Sequence, residues 1–191
     1  MHGSAGNVQA LLRAADLLGH PRRGEIARRG ADAACALARV EGDLANWPAS
    51  IPPRPLEPTR AAYLVHYCHG APGFVICLDG VRPGEHAELD RMLTRAGELV
   101  WRAGPLAKGP NLCHGTAGNG YALLKLWRRT GDARWLERAR AFAMHAIEQV
   151  RAARQRHGLG RYSLWTGDVG VALYLASCLE GDASFPTVDV F

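Results

Sequence analysis

One short pattern, a single residue followed by G-x-x-G, occurs four times in this 191-residue chain. The copies are His2–Gly6, His69–Gly73, His114–Gly118 and Thr166–Gly170. Each copy leads into an apolar segment with helical spacing, as in V-x-x-L-L-x-x-A from residue 8. The pattern predicts a repeated unit in which a glycine turn opens a helix that is buried on most sides, which we call an inner helix.

Longer amphipathic segments separate these inner helices. They span residues 22–40, 85–102 and 132–154, and the last carries apolar residues on one face and arginines and glutamates on the other. The sequence T-G-D at 130–132 supplies a helix-ending glycine and an aspartate N-cap between an inner and an outer helix. We therefore predict an all-α fold of helical hairpins, arranged as part of an α/α toroid whose inner helices start at one end.

The length allows a single domain over residues 1–191. Residues 46–60 contain five of the eleven prolines. Proline lacks a backbone N–H and fixes φ, so this stretch is predicted to be an irregular loop.

Charge and composition exclude several classes of protein. The net charge is +5, but the arginines alternate with acidic residues and alanines along helices and form no basic stripe with interleaved aromatics, so we expect no nucleic-acid partner. No apolar run approaches the ~20 residues of a membrane span, and the first residues lack a signal-peptide layout. Five scattered cysteines, an odd number, favour reduced thiols. Together these features predict a cytoplasmic protein.

Two of the glycine turns carry metal-ligand residue types. Cys68 precedes one turn, and Cys113 and His114 precede the next, so the three side chains are expected at the same end of neighbouring inner helices. Two thiolates and an imidazole suit tetrahedral zinc, and three protein ligands leave a fourth position for water or substrate. The alternative for a cysteine on an apolar helix is a small buried side chain, which is our interpretation of Cys35, Cys77 and Cys178.

The stretches HYCHGAPGFVICL, NLCHGTAGN and YSLWTGDVGVALYLASCL, with the ending FPTVDVF, resemble the lanthionine synthetase C-like family. The resemblance runs over nearly the whole chain but corresponds to the C-terminal part of the family fold, about four of its seven helical hairpins. It implies an α/α toroid in which Cys68, Cys113 and His114 hold one zinc ion. It also implies that the family's catalytic aspartate lies in the part to which this chain has no counterpart.

The resemblance further implies a reaction. A thiol of a peptide cysteine or of glutathione adds to dehydroalanine or dehydrobutyrine in a peptide or protein and forms a thioether. His2 matches the family's acid/base histidine, and Lys108 and Arg156 match positions that contact glutathione. For the two cations, the alternative is a solvated surface charge.

Two functions stay open at this point. One is a zinc-dependent thioether-forming enzyme, and the other is a truncated, non-catalytic zinc- or glutathione-binding module that has a partner chain or a missing N-terminal half. A sugar-processing α/α toroid is a third reading, but it would need paired carboxylates at the site end, where only Asp168 stands.

Overall fold

The computed structural model describes residues 3–50 and 63–190 of the chain. The chain divides into two compact units, Met1–Leu99 and Val100–Phe191. Within the described ranges, no helix is long and apolar enough to cross a membrane. Helices dominate both units, so the all-α prediction is confirmed.

The described part of the first unit contains three helices, two short strand pairs and most of a fourth helix. Its elements are α1 (Ser4–Leu17), α2 (Arg23–Leu37), β1 (Arg39–Glu41), β2 (Leu44–Asn46), β3 (Val65–His66), β4 (His69–Gly70) and α3 (Ala71–Leu78). Helix α1 packs against both α2 and α3. Helix α4 (Ala87–Ala103) begins in this unit and crosses into the second.

An arginine fastens the turn between α1 and α2. The Arg23 guanidinium donates to both carboxylate oxygens of Glu85, to Asp16 and to the Gly80 carbonyl. Because its side chain is only 11% exposed, these charge-assisted bonds replace the water that the buried guanidinium lacks. Trp47 makes a second stabilising contact in this unit. It is fully buried and stacks on Phe74 of α3 with 4.3 Å between ring centroids.

The second unit is built from α5 (Thr116–Thr130), α6 (Ala133–His157) and α7 (Asp168–Glu180). The two long helices α5 and α6 pack against each other as a hairpin, and α7 packs on both. The Asp132 side chain accepts from the Arg134 N–H and caps α6, while Gly131 in left-handed conformation ends α5. The helical hairpin predicted around T-G-D at 130–132 is confirmed, and its second helix, predicted over 132–154, runs to His157.

The strands and some helix surfaces differ from the sequence prediction. The outer helix expected to reach residue 40 ends at Leu37, and Arg39–Glu41 pairs with Leu44–Asn46 instead. The prediction that all inner helices are buried on most sides holds for α3 and α5 but is wrong for α1 and α7. Leu11 and Leu17 of α1 and Leu179 of α7 are 54%, 80% and 82% exposed. Of the predicted loop at 46–60, Asn46 ends β2, residues 47–50 form no helix or strand, and residues 51–60 lie outside the described residues.

Candidate functional site

The first glycine of each G-x-x-G turn is the N-cap of the helix that follows. In the described copies that open α3, α5 and α7, this glycine faces a backbone carbonyl six residues earlier so closely that a Cβ would collide with it. The pairs are Gly70 with Leu64, Gly115 with Gly109, and Gly167 with Arg161. Glycine is therefore required at these positions by close approach of the backbone. The residue two places before each N-cap consequently occupies an equivalent position in every turn.

In the first unit this equivalent position is Cys68. It lies in the turn of the two-stranded hairpin in which Val65–His66 pairs with His69–Gly70, and it is half-buried. Asn46, at the end of β2, stabilises the same turn, since its Oδ1 accepts the Ala71 N–H at 2.8 Å and its amide donates to the Leu64 carbonyl at 3.3 Å. The hairpin and the Asn46 side chain thus fix the backbone that carries Cys68.

In the second unit the equivalent position is Cys113, followed by His114. The Cys113 N–H donates to the Trp165 carbonyl at 2.9 Å, and the His114 N–H donates to Asn111 Oδ1 at 3.1 Å. First-turn N–H groups of α5 donate to the carbonyls of Gly109 and Pro110, so the segment before the helix folds back along its start. Both candidate ligands are half-buried on a backbone that is hydrogen-bonded on either side.

Cys68 in the first unit, and Cys113 with His114 in the second, carry side chains that can ligate a metal ion, each at the equivalent turn of its own unit. Two thiols and one imidazole are the donor set that zinc favours over magnesium or calcium, which take oxygen ligands. Three such ligands leave one position of a zinc tetrahedron for another group, the pattern of catalytic rather than structural zinc. The residues therefore fit the ion that the sequence predicted.

The other three cysteines lie within helices. None of the five cysteines, all of which lie in the described residues, forms a disulfide bond. Cys77 and Cys178 are buried in α3 and α7, and Cys35 is half-buried in α2. Burial raises the pKa of both Cys35 and Cys178 to about 11, which keeps these thiols protonated at neutral pH. They are poor nucleophiles in that state.

The other predicted site residues fall into two cases. His2, the candidate acid/base residue, lies outside the described residues. Lys108 and Arg156, the candidate substrate-binding cations, line one cavity of about 320 Å³ in the second unit. The structure thus brings together two residues that are far apart in sequence, one before α5 and one in the last turn of α6.

Sequence reasoning missed two further cations of this cavity, Arg154 and Arg161. It noted Asp168 only as a lone carboxylate at the site end. Arg154 lies two residues before Arg156 in the basic end of α6, and the fourth glycine turn carries Asp168, so both residues were visible in the sequence. What the sequence did not reveal is that the loop between α6 and α7 folds next to the segment before α5.

The chain matches one family model and is similar to two curated relatives. The model of the family described as "Lanthionine synthetase C-like protein" matches residues 2–190. The chain is 32% identical over 196 residues to "Glutathione S-transferase LANCL1" of Danio rerio, an alignment covering 99% of this chain and 45% of the relative. It is 39% identical over 135 residues to "LanC-like protein GCL1" of Arabidopsis thaliana, covering 66% of this chain and 30% of the relative. The chain spans less than half the length of either curated relative.

Proposed function

The chain belongs to the lanthionine synthetase C-like family, as its motifs predicted, and we propose that it is a zinc protein that joins a thiol to a dehydroamino acid. The thiol belongs to glutathione or to a peptide cysteine. The acceptor is dehydroalanine or dehydrobutyrine in a peptide or protein, and the product is a thioether. The proposal includes a cytoplasmic location, where such thiols stay reduced.

The observation that carries this proposal is the ligand set. Cys68 and Cys113 stand at equivalent positions two residues before an N-cap glycine, and His114 follows the second cysteine. A bound zinc ion would lower the pKa of a thiol that occupies its fourth coordination position. The name of the Danio rerio relative, a glutathione S-transferase, supports glutathione as the thiol donor.

The chain's own residues would bind and orient the thiol donor. Glutathione carries two carboxylates, and Lys108 and Arg156 line the cavity of about 320 Å³, within the size range of small-molecule sites. Arginine and lysine side chains bind carboxylates by charge-assisted hydrogen bonds. Lys108 lies five residues before Cys113, so an anchored donor would lie close to the candidate ligands.

The reaction needs one proton to be moved. As the carbon–sulfur bond forms at Cβ, the π electrons of the double bond shift towards Cα, which must then accept a proton. A histidine near its ordinary pKa is suited to deliver a proton at neutral pH, and His2 is the residue that we propose for this step. Replacement by asparagine should lower kcat with little effect on glutathione binding.

The direct test is product formation. Purified protein with zinc is incubated with glutathione and a peptide containing dehydroalanine, and the mass increase of one glutathione is followed. Cys113→Ala should abolish the product. Cys35 is also half-buried but is not a candidate ligand, so Cys35→Ala should leave product formation intact. Wild-type protein that retains zinc but forms no adduct would refute the enzymatic proposal.

A second candidate function is a binding module without catalysis. The favouring observation is that the chain covers 45% of its Danio rerio relative. This alternative predicts stoichiometric zinc and glutathione binding with no adduct. The same assay therefore separates the two functions.

A further inference from the structure

The cavity that contains Lys108 and Arg156 carries an unusual distribution of charge. Its walls come from the segment before α5, the last turns of α6 and the residues around the start of α7. Four cationic side chains, those of Lys108, Arg154, Arg156 and Arg161, line it. None of the four makes an ion pair with any other residue of ranges 3–50 and 63–190.

Unpaired like charges around a concave surface repel one another and attract anions. Arg154 and Arg156 also lie at the C-terminus of α6, where cations are favoured by the helix dipole, so their presence alone has a structural explanation. That explanation does not extend to Lys108 or Arg161, which lie in loops. The convergence of all four on one cavity indicates an anionic ligand.

One lining residue has the opposite charge. Asp168, the first residue of α7, is the one carboxylate among the described residues that line this cavity. Its Oδ2 accepts the Arg161 N–H at 2.9 Å, and its own N–H donates to the Arg161 carbonyl at 2.7 Å. These two bonds hold the side chain in place. They leave Oδ1 without a hydrogen bond to the described part of the chain.

The absence of a side chain at Gly160 matters for this arrangement. A Cβ at that position would lie 2.9 Å from Asp168 Oδ2, too close for the carboxylate to stay where it is. The loop therefore keeps space beside the carboxylate. A cavity with several cations and a single carboxylate held in place by hydrogen bonds suits a zwitterionic ligand that has more negative than positive groups.

We propose that Asp168 is a specificity-determining residue that binds the ammonium group of a small γ-glutamyl thiol, while the surrounding cations bind its carboxylates. This inference rests on the proposed function, in which glutathione is the thiol donor. Glutathione has two carboxylates and one ammonium group, so its charges are opposite in sign to those of the cavity, and its single ammonium matches the single carboxylate. Asp168 then selects glutathione over thiols that lack the free amine.

The competing explanation is that Asp168 only stabilises the loop before α7 through its hydrogen bonds with Arg161. Asp168→Asn separates the two explanations, because the asparagine side-chain oxygen can still accept the Arg161 N–H while the charge is lost. A purely structural role predicts that Asp168→Asn does not change the ligand preference. A recognition role predicts loss of the preference for an amine with the loop intact.

The experiment is a binding titration with two ligands that cannot react. S-methylglutathione has the free amine but no thiol, and its N-acetylated derivative also lacks the amine. Calorimetry with the zinc-loaded full chain should give about tenfold tighter binding of the amine form to wild type, as expected for one charge-assisted hydrogen bond. In Asp168→Asn the two ligands should bind equally.

A matched control is Asp132→Asn, which removes the same charge from the start of α6, at the other end of that 25-residue helix. It should keep the wild-type preference. The inference is overturned if wild type binds both ligands equally, if neither binds at millimolar concentration, or if Asp168→Asn keeps the preference. Because neither ligand has a thiol, the result is independent of the thioether assay, which can fail while this inference holds.

Discussion

At the scale of single residues, glycine positions decide how closely the helices approach. Gly120 of α5 lies directly against the Tyr174 side chain of α7. That tyrosine is fully buried, and its hydroxyl donates to the Ala139 carbonyl of α6 at 2.5 Å. The three helices of the second unit therefore meet at a point where α5 has no side chain.

Gly120→Ala should destabilise the protein by about 2 kcal/mol or more. A Cβ at this position would collide with the Tyr174 ring and hydroxyl, so either the helices separate or a buried hydrogen bond is lost. The better helix propensity of alanine, about 1 kcal/mol, offsets only part of this. Urea unfolding monitored by circular dichroism measures the change.

Gly24→Ala is the matched control for this substitution. Gly24 is also helical, but nothing lies within 4 Å of a Cβ built there, so alanine should be neutral or stabilise by up to about 1 kcal/mol. Equal stability of the two variants would contradict the close-packing argument.

At the scale of elements, the contact between α5 and α7 contains ionisable groups that must stay neutral. Burial raises the pKa of Tyr121 to about 12 and that of Cys178 to about 11, and it raises the pKa of Tyr174 well above its usual value. In the unfolded chain, tyrosine ionises near ~10. Above that pH the unfolded state binds fewer protons than the native state, so stability falls as pH rises.

Tyr121→Phe should reduce this alkaline loss of stability. The Tyr121 contribution is fully present below pH 10 and disappears as the pH rises from 10 towards 12, which amounts to about 1 kcal/mol between pH 9.5 and 11. The free energy of unfolding of the variant should therefore fall less over that interval. Tyr162→Phe, at a position 90% exposed, should keep the wild-type slope, and equal slopes for both variants would disprove the assignment.

The C-terminal segment is attached to α5 by a buried ion pair. Lys125 is 1% exposed, its Nζ lies 2.6 Å from Asp189 Oδ2, and the same carboxylate oxygen accepts the Phe185 N–H. Asp189→Asn leaves the buried ammonium without this counter-charge and should destabilise the protein by about 2 kcal/mol.

The control for the ion pair is Asp182→Asn in the same segment. Asp182 is exposed and its hydrogen bonds are local, with Ser184, so its loss should change the free energy of unfolding by about 0.5 kcal/mol. If the two variants unfold at the same urea concentration, the ion pair does not anchor the segment.

The elements also mark the limit of what the sequence could predict. Apolar spacing and glycine turns predicted the seven helices of the described residues, because a period near 3.6 and a left-handed stop such as Gly131 are local signals. The two strand pairs were missed since each is three residues or fewer per strand. The cavity cations Arg154 and Arg161 were missed because their convergence depends on how two loops fold, which no local pattern encodes.

At the scale of the whole molecule, the candidate ligands are divided between the two units. Cys68 belongs to Met1–Leu99, and Cys113 and His114 belong to Val100–Phe191. Our proposal of one shared ion therefore makes metal binding a property of the entire chain rather than of either unit. An ion that binds only the folded chain stabilises it by mass action, by about 2.7 kcal/mol at a hundredfold excess over Kd.

Zinc should accordingly raise the midpoint of thermal unfolding by about 5 °C or more relative to chelator-treated protein, because 1 kcal/mol corresponds to roughly 2–4 °C in a chain of this size. Scanning calorimetry with parallel metal analysis measures both effects. Cys68→Ala and Cys113→Ala should each lose the bound zinc and the rise in midpoint, whereas Cys35→Ala should keep both. A Cys68→Ala protein that holds a full equivalent of zinc, while Cys113→Ala holds none, would show that the first unit contributes no ligand. The thiol would then have to be activated by the second unit alone.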